Sequence, residues 1–248
     1  MKTIAIYGAG PALGMAVARR FGSEGFQVAL VARRREALDG MVSALSADGI
    51  EAAGFQADIA DPAEALRAAD EIEDRFGTVD VLEHSPTPAE SSVSPLDIDP
   101  RMAAAVLDLY VLTPIALANR MLPGMRERAD GALLFAMGAA AKYPTGRYAA
   151  PSVALPALRG YIHTLNAAAR DSGIYAGALL IGALIEGSHA HRESQARTSA
   201  GGGASTPVIA PSDLADRLWN LAASRDRVED VIEPAFSRTS VTNPVGDR

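Results

Sequence analysis

Short, continuously apolar runs alternate along the chain with longer stretches in which apolar residues recur at helical spacing. The apolar runs predict strands, at Thr3–Tyr7, Gln27–Ala32, Glu51–Gln56, Val79–Leu82, Ala132–Met137 and Ala176–Ile181, with Val228–Ile232 as a further candidate. The amphipathic stretches predict helices, at Ala12–Gly25, Arg34–Gly49, Asp61–Phe76, Asp99–Arg128, Ser152–Ser172 and Pro211–Ser224. Because strands that are apolar throughout need cover on both faces, this alternation predicts an α/β fold with a parallel sheet between helical layers.

The composition narrows the classes of protein and of chemistry. With 248 residues, of which 48% are hydrophobic and 21% charged, the chain has the size of one α/β domain and is not expected to be disordered. The formal net charge of −7 argues against nucleic acid or an anionic membrane as the main partner. The absence of cysteine excludes disulfides, thiolate metal sites and cysteine nucleophiles.

No segment resembles a targeting signal or a membrane span. The apolar run at Thr3–Tyr7 is shorter than a signal-peptide core, and a turn follows it at Gly8. No continuous apolar stretch approaches the roughly 20 residues of a transmembrane helix. We therefore expect a soluble, cytoplasmic protein with no nucleic-acid or membrane partner.

One polar stretch interrupts the alternation of strands and helices. Residues Ser188–Ser205 are polar and contain a run of glycines, which predicts a mobile loop after a strand end. We expect residues 186–208 to form a lid that closes over a small-molecule substrate. His189 and His191 lie in this stretch without a third ligand, so no metal site is expected.

The first predicted strand runs into a glycine-rich turn that contains Gly8, Gly10 and Gly14. Glycines let the backbone turn sharply and approach a pyrophosphate, and the helix that begins near Ala12 and Leu13 offers N–H groups to its oxygens. The spacing is Gly-x-Gly-x-x-x-Gly, which differs from the common Gly-x-Gly-x-x-Gly dinucleotide motif. A tight strand-to-helix turn also requires glycine, so a purely structural interpretation stays open.

The ends of the second and third predicted strands carry groups that suit an adenosine phosphate. In dinucleotide-binding folds an acid after the second strand binds the ribose 2′-hydroxyl, whereas an arginine suits a 2′-phosphate. Arg33 and Arg34 stand there without an acid, which predicts a preference for NADP(H). The alternative is a solvated, basic start to the next helix. Asp58, followed by Ile59, comes after the third strand, where an adenine amine would lie.

Several segments together carry a likeness to a known family. Gly8–Gly14, Val28–Arg34, Ala57-Asp58, Val79–Leu82 and Ala157–Gly160 resemble the short-chain dehydrogenase/reductase family, and the likeness covers nearly the whole chain. The resemblance implies a single domain over residues 1–248 with a doubly wound, Rossmann-like parallel sheet of about seven strands. It also implies a homodimer or homotetramer formed through the helices predicted over 99–128 and 152–172.

The glycine turn departs from the family pattern. The family motif is Thr-Gly-x-x-x-Gly-x-Gly, and Tyr7, Gly8, Ala12 and Gly14 occupy its four fixed positions here. The methyl group of Ala12 either is tolerated beside the pyrophosphate or loosens the binding. The resemblance therefore implies an NADP(H) site that is intact, weakened or vestigial.

Two further positions beside the cofactor also differ. His84-Ser85-Pro86-Thr87 stands where the family has Asn-Asn-Ala-Gly, which rebuilds the turn on the cofactor side. After the sixth strand the family commonly has Pro-Gly, and here Ile181 precedes Gly182. The resemblance implies that His84 and Gly182 lie near the cofactor.

The catalytic tetrad of the family, Asn-Ser-Tyr-Lys, is missing. In the family the tyrosine exchanges a proton with the substrate oxygen and the lysine lowers the pKa of the tyrosine. The serine orients the carbonyl group and the asparagine supports a water relay. The resemblance places the asparagine position at Tyr110 and the serine position at Gly138.

The family's Tyr-x-x-x-Lys motif fits this chain in two registers. In the first, Tyr148 and Ser152 take the two places, and in the second Pro151 and Leu155 do. The second register keeps the usual spacing from Gly138, and we favour it. Neither register contains the lysine, and a phenol with a pKa near 10 is a poor acid–base group at neutral pH without a neighbouring cation.

Two side chains are candidates for substitute chemistry. His84 has a side chain that titrates near neutrality, and Tyr148 could act as an acid with Lys142 or Arg147 as its cation. We favour an atypical NADP(H)-dependent oxidoreductase that acts on a carbonyl or alcohol of an apolar small molecule. Two alternatives stay open: a non-redox enzyme on the same fold, such as a cyclase, isomerase or dehydratase, and a catalytically silent protein that binds NADP(H) or another ligand.

Overall fold

The centre of the protein is a parallel sheet. The computed structural model describes residues 1–87, 93–144, 149–199 and 206–234, and within them seven strands form one sheet with parallel neighbours throughout. These strands are β1 (Thr3–Tyr7), β2 (Gln27–Ala32), β3 (Ala52–Gln56), β4 (Val81–His84), β5 (Gly131–Gly138), β6 (Ile174–Ile181) and β9 (Glu229–Ile232). Their order across the sheet is β3-β2-β1-β4-β5-β6-β9. The predicted parallel, doubly wound α/β fold is confirmed.

Helices cover both faces of this sheet. They are α1 (Leu13–Gly22), α2 (Arg35–Ala47), α3 (Pro62–Phe76), α4 (Pro100–Leu107), α5 (Thr113–Glu127), α6 (Ala149–Ala169), α7 (His189–Ser199) and α8 (Pro211–Ser224). One cluster of buried apolar side chains lies between the sheet and α3, α5 and α6, and a second lies between the sheet and α1, α2 and α8. The order of the strands reverses between β1 and β4, which creates the crevice where such folds bind ligands.

Helix α3 shows how local sequence sets the position of an element. The side chain of Asp61 accepts a hydrogen bond from the Ala63 N–H at 2.8 Å, and Pro62 occupies the first helical position. Both features favour a helix start at this point. The buried face of α3 is mostly alanine, which lets the helix approach the sheet closely. The helix therefore begins within one residue of its predicted start.

The long helix predicted over 99–128 contains an unpredicted π-helical segment. α4 and α5 are joined by Asp108–Leu112, in which the Thr113 N–H donates to the Asp108 carbonyl, five residues earlier. Pro114 explains the change, because proline has no N–H to donate to the carbonyl of residue 110 and its ring crowds that turn. The Thr113-Pro114 pair was the sequence feature that could have predicted this segment. Hydrophobic periodicity alone does not detect it.

The segment predicted as a loop over Ser188–Ser205 is partly helical, and in this respect the prediction was wrong. His189–Ser199 forms α7, and the Ser188 hydroxyl accepts a hydrogen bond from the His191 N–H as an N-terminal cap. α7 lacks an apolar stripe, so hydrophobic periodicity did not detect it. Two short strands, β7 (Leu184–Ile185) and β8 (Val208–Ile209), pair beside it. Residues 200–205 lie outside the described residues, and a lid motion of 186–208 stays a prediction.

The helix Pro100–Glu127 is more apolar than we expected from the sequence. In the part of the chain that the structure describes, the continuous helix Pro100–Glu127 has the length and composition of a membrane span, with a mean hydropathy of 1.6 over an 18-residue window. Only 39% of that window is buried. Its inner face packs on the sheet beside α6, as a core helix of a globular domain does. Its outer face is partly apolar, with Leu112 half exposed.

Candidate cofactor site and catalytic corner

The predicted cofactor residues meet at one edge of the sheet. The carboxyl ends of the parallel strands lead into Gly8 after β1, Arg33 after β2, Asp58 near β3, Ser85 after β4 and Gly182 after β6, and β5 ends at Gly138. Because the strands are parallel, these ends all lie on the same side of the domain. The fold therefore brings the predicted groups to the edge where α/β proteins bind ligands.

The glycine turn is held tightly by the chain's own packing. Gly8 has a φ of +94°, and a Cβ there would lie 3.0 Å from the Pro86 backbone. A Cβ at Gly14 would lie 2.9 Å from Ala9 Cα. The glycines at 8 and 14 are thus required by the turn itself, whether or not a ligand binds. The geometry of the turn is enough to explain why glycine occupies these two positions.

Gly10 and the start of α1 leave room for a ligand. A Cβ at Gly10 would meet nothing within 4 Å, so the turn is open at this position. No side chain caps the helix at Ala12, and α1 begins at Leu13. The first N–H groups of an α-helix have no partner within the helix and attract anions. This uncapped, open turn fits a pyrophosphate, with Ala12 half-buried and Leu13 buried beneath it.

Two exposed arginines at the end of β2 have no ion pair within the described part of the chain. Arg33 and Arg34 are exposed, and neither forms an ion pair with any residue that the structure describes. The next residue, Arg35, pairs with Asp39 at 2.9 Å. The Arg33 carbonyl accepts a hydrogen bond from Gln56 Nε2 at 3.0 Å, which ties this turn to the end of β3. The guanidinium groups of Arg33 and Arg34 are therefore available to a phosphate.

The turn after β3 is ordered by a carboxylate from α3. The Asp58 N–H donates to Glu64 Oε2 at 2.9 Å, and Asp58 Oδ1 accepts from the Ala60 N–H at 3.1 Å. These bonds fix Asp58 at the rim and leave its Oδ2 with no bond among the described residues. The neighbouring Ile59 side chain is buried in the core, so only its backbone faces the rim. This placement suits an adenine contact for Asp58 and a supporting role for Ile59.

His84 lies inside the protein, which argues against a role as general acid or base. It is 1% exposed, and its ring packs 6.3 Å from the ring of Phe135. Neither ring nitrogen has a hydrogen-bond partner in the described parts of the chain. Burial lowers the pKa of His84 to about 3, so the ring is neutral at physiological pH. A proton could not pass from this ring to a substrate without an intermediary.

Glu83 is a buried carboxyl that the sequence reading missed. It is fully buried on β4, one residue beyond the predicted strand end at Leu82. Its Oε2 accepts a hydrogen bond from the Ser85 hydroxyl at 3.0 Å, and its Oε1 has no partner among the described residues. Burial raises the pKa of Glu83 to about 8, so the side chain is mostly neutral at pH 7. The position of this acid directly after an apolar run was the sequence feature that could have indicated a buried carboxyl.

The catalytic corner is apolar where the structure describes it. Tyr110 lies in the π-helical segment, is buried, and donates its hydroxyl proton to the Pro86 carbonyl at 3.2 Å. Burial raises the pKa of the Tyr110 hydroxyl well above its ordinary value. Gly138 is exposed, and Leu155 Cδ1 lies 3.7 Å from the point that a Cβ on Gly138 would occupy. Pro151 and Leu155 are both buried.

One contact involves a position of the second register of the Tyr-x-x-x-Lys motif, and the choice of register stays a prediction. The position that the second register equates with lysine, Leu155, lies beside the position equated with serine, Gly138. Tyr148 and Arg147 lie outside the described residues. The Ser152 hydroxyl is buried without a hydrogen-bond partner in the described structure. A catalytic role for Tyr148 therefore stays a prediction.

Lys142 is engaged elsewhere and does not supply a free cation to this corner. Its Nζ lies 3.2 Å from Glu229 Oε1 on the edge strand β9. Arg159 and His163 of α6 contact the same carboxylate, at 2.7 Å and 3.0 Å. The Arg159 hydrogen bond is the largest influence on Glu229 and lowers the pKa of its carboxyl to about 2. A role for Lys142 as the cation beside Tyr148 stays a prediction, because Tyr148 lies outside the described residues.

Gly182 is explained by packing. A Cβ at this position would collide with the backbone of Ile232 and Pro234, which follow the edge strand. The glycine therefore lets β9 and the segment after it lie close to β6. No group of three potential metal ligands occurs in the described ranges.

Comparisons with known proteins agree with this architecture. A family model described as short chain dehydrogenase matches residues 2–196. A short chain dehydrogenase of Pseudocercospora fijiensis is 28% identical over 181 residues, which cover 72% of this chain and 58% of the relative. A fatty acyl-CoA reductase of Mycobacterium tuberculosis is 30% identical over 139 residues, which cover 54% of this chain and 46% of the relative. The chain thus spans about half the length of these curated relatives.

Solved structures extend the likeness over the whole domain. The L-sorbose reductase of Gluconobacter frateurii, complexed with NADPH and L-sorbose, gives a TM-score of 0.82 at 20% identity and covers 96% of this chain and 97% of its own. A short chain oxidoreductase of Pseudomonas aeruginosa, described as containing an atypical catalytic center, gives 0.84 at 19% identity, with 96% and 98% covered. At these identities the structures establish the fold. Together with the family model, they show that the chain belongs to the short-chain dehydrogenase family.

Proposed function

We propose that this protein is an NADP(H)-dependent oxidoreductase that acts on a carbonyl or alcohol of an apolar small molecule without the usual Asn-Ser-Tyr-Lys tetrad. The observation that carries the proposal is that Arg33 and Arg34, which form no ion pair with the described residues, lie at the same sheet edge as the open turn at Gly10. The NADPH bound by the L-sorbose reductase supports this choice of cofactor. The atypical center of the Pseudomonas oxidoreductase is a precedent for activity on a changed site.

The described residues fit this cofactor. The start of α1 would hold the pyrophosphate, Arg33 and Arg34 the 2′-phosphate, and Asp58 the adenine. When bound, NADPH supplies a hydride, so the protein need only position the partners and polarise the substrate oxygen. The arginine pair provides the selectivity for NADP(H) over NAD(H), because a 2′-phosphate is an anion that pairs with guanidinium groups, whereas a 2′-hydroxyl is uncharged.

The apolar catalytic corner favours an apolar substrate. Gly138 is open to solvent, and the nearby Leu155 side chain offers only carbon atoms. Such a surface binds hydrocarbon better than charged groups. Tyr148 is our candidate for the proton donor, because His84 is enclosed in the core. We also propose that the protein is cytoplasmic, as the sequence analysis led us to expect.

The same corner favours a second candidate, a protein that binds NADP(H) without hydride transfer or uses the fold for non-redox chemistry. Among the described residues, only Leu155 lies within 4 Å of a Cβ placed on Gly138, and Lys142 is paired with Glu229. Following nicotinamide absorbance with a panel of apolar ketones, aldehydes and alcohols separates the two. Cofactor binding without any oxidation or reduction across the panel would favour the second candidate.

The arginine pair gives a direct test of the proposed cofactor preference. We expect Arg33→Ala to weaken NADPH binding by about tenfold or more, the value of a charge-assisted hydrogen bond, and to change NADH binding little. Arg35→Ala is the matched control, because Arg35 is adjacent but pairs with Asp39. Nicotinamide fluorescence titrations measure both affinities. Equal weakening of NADPH and NADH binding by Arg33→Ala would refute the 2′-phosphate role.

We also propose that two copies of the chain associate through the outer faces of Pro100–Glu127 and α6. The first of these helices is as apolar as a membrane span but is 39% buried in one copy. Leu112 on it is 50% exposed, and Val153 on α6 is 47% exposed. A second copy would remove this apolar surface from water, which stabilises association.

A further inference from the structure

The buried residue Glu83 lies on the strand that leads into the backbone packed against the proposed phosphate-binding turn. In the sheet, Glu83 pairs with Ile6 of β1 and Leu134 of β5. Gly8 follows Ile6 by two residues, a backbone separation of about 7 Å in a strand. On the other strand, Ser85 and Pro86 follow Glu83 and contact Gly8, since a Cβ there would lie 3.0–3.2 Å from their backbone. The carboxyl and the turn therefore share one small region at the sheet edge.

The carboxyl has no cationic partner in this region. Apart from Ser85, which donates one hydrogen bond, its surroundings are the apolar cluster beneath α1, α2 and α8. The charged side chains on the elements of this layer are Arg19, Arg20, Arg35, Glu36, Asp39, Glu186, Asp213, Asp216, Arg217 and Asp230, and none is buried. Tyr175 of β6 is a buried titratable group on this face, and its hydroxyl donates to the Arg227 carbonyl at 2.7 Å. The buried faces of α1 and α8 carry no charged residue. The elements packed over Glu83 thus place no charged side chain in the buried layer around it.

We propose that Glu83 sets an upper pH limit on cofactor binding: its neutral form permits a pyrophosphate at the Gly8–Gly14 turn, and its ionised form repels one. The inference rests on the proposed NADP(H) function and adds a form of regulation to that site. An ionised carboxylate here would have no counter-charge, and water is excluded from its surroundings. Charges in such a setting interact strongly over several ångströms and are little screened by salt.

Burial also determines the pH at which the change occurs. The pKa of Glu83 is raised to about 8 by burial, so its ionisation falls within an accessible range. Binding and proton uptake are coupled reciprocally: if ionisation weakens cofactor binding, bound cofactor must raise the pKa of Glu83. NADPH binding near pH 8 should therefore take up a fraction of a proton from the solution.

The test compares NADPH affinity across pH in wild type and in Glu83→Gln, whose amide cannot ionise. We expect the wild-type Kd to rise at least tenfold from pH 7 to pH 9.5 and the Glu83→Gln Kd to stay within about threefold. Glu24→Gln is the control, because Glu24 is an exposed carboxylate that pairs with Arg20 and should follow the wild-type profile. Circular dichroism at each pH verifies that the protein remains folded.

The outcomes distinguish a failure of the Glu83 inference from a failure of the proposed NADP(H) function. Binding at pH 7 with the same pH dependence in wild type and Glu83→Gln would overturn this inference alone. No NADPH binding to either protein at pH 7 would overturn the proposed function and this inference with it. If Glu83→Gln does not fold, calorimetry of wild type at pH 8 in buffers of different ionisation enthalpy measures the proton uptake directly. The absence of uptake would then overturn the inference.

Discussion

At the scale of single residues, Glu83 and His84 show how burial changes two adjacent ionisable groups. Successive residues of a strand face opposite sides of the sheet, so the two side chains enter different cores. Burial raises the pKa of Glu83 to about 8 and lowers the pKa of His84 to about 3. Both shifts favour the neutral form, because a charge without a partner is costly to remove from water.

These shifts predict how the stability of the protein depends on pH. The unfolded chain loses the Glu83 proton near pH 4.5, whereas the folded protein keeps it until about pH 8. Because the folded state binds more protons in that range, the free energy of unfolding falls as the pH rises. His84 acts in the opposite direction, but only below its unfolded pKa of 6.5. Between pH 6.5 and pH 8, the effect of Glu83 on the free energy of unfolding is therefore separated from that of His84.

We expect wild type to lose about 1–2 kcal/mol of unfolding free energy between pH 6.5 and pH 8. Glu83→Gln should lose much less over the same range, since its amide does not titrate. Urea denaturation followed by circular dichroism measures both. Parallel slopes for the two proteins would show that Glu83 does not ionise in an uncompensated, buried position.

The sequence identified the residues of the rim better than those of the interior. Gly8 and Arg33 could be predicted because a turn and a strand end impose simple rules on backbone and charge. The predicted strand ended at Leu82, which left Glu83 outside it, and the resemblance placed His84 in the turn on the cofactor side. Their inclusion in β4 follows from pairing with Ile6 and Tyr7 of β1. Such pairing is a tertiary effect that one sequence does not display.

At the scale of elements, the helix Pro100–Glu127 contributes to both the proposed cofactor site and the proposed contact between two copies. Its π-helical segment directs the Tyr110 hydroxyl to the Pro86 carbonyl, which ties the helix to the turn beside Gly8. Its outer face carries the apolar surface that we assign to a second copy. The sequence predicted the helix but not the segment, because Pro114 alters the hydrogen bonds without altering the hydrophobic pattern.

The proposed association gives a test at this scale. We expect wild type to be a dimer or tetramer, and Leu112→Glu to shift it toward monomer by placing a charge in the apolar contact. Leu96→Glu is the control, since Leu96 is 94% exposed but lies outside these helices. Light scattering after size-exclusion chromatography measures the mass. A monomeric wild type, or an unchanged mass for Leu112→Glu, would contradict the proposed interface.

At the scale of the whole molecule, the chain has the scaffold of its family, and we propose that the corner where the family's chemistry occurs is changed. The parallel sheet and its helices could be predicted, because continuously apolar strands and amphipathic helices leave few other arrangements. The catalytic corner could be predicted only as a set of missing groups. Its apolar packing, with Leu155 beside Gly138, became visible when the fold brought distant segments together.

The central claim is that this altered domain still binds NADP(H). Titration of the purified wild-type protein with NADPH and with NADH at pH 7, followed by nicotinamide fluorescence, tests that claim most directly. The proposed site predicts saturable binding of NADPH that is at least tenfold tighter than binding of NADH. The absence of NADPH binding at millimolar cofactor, or equal affinity for the two, would contradict it.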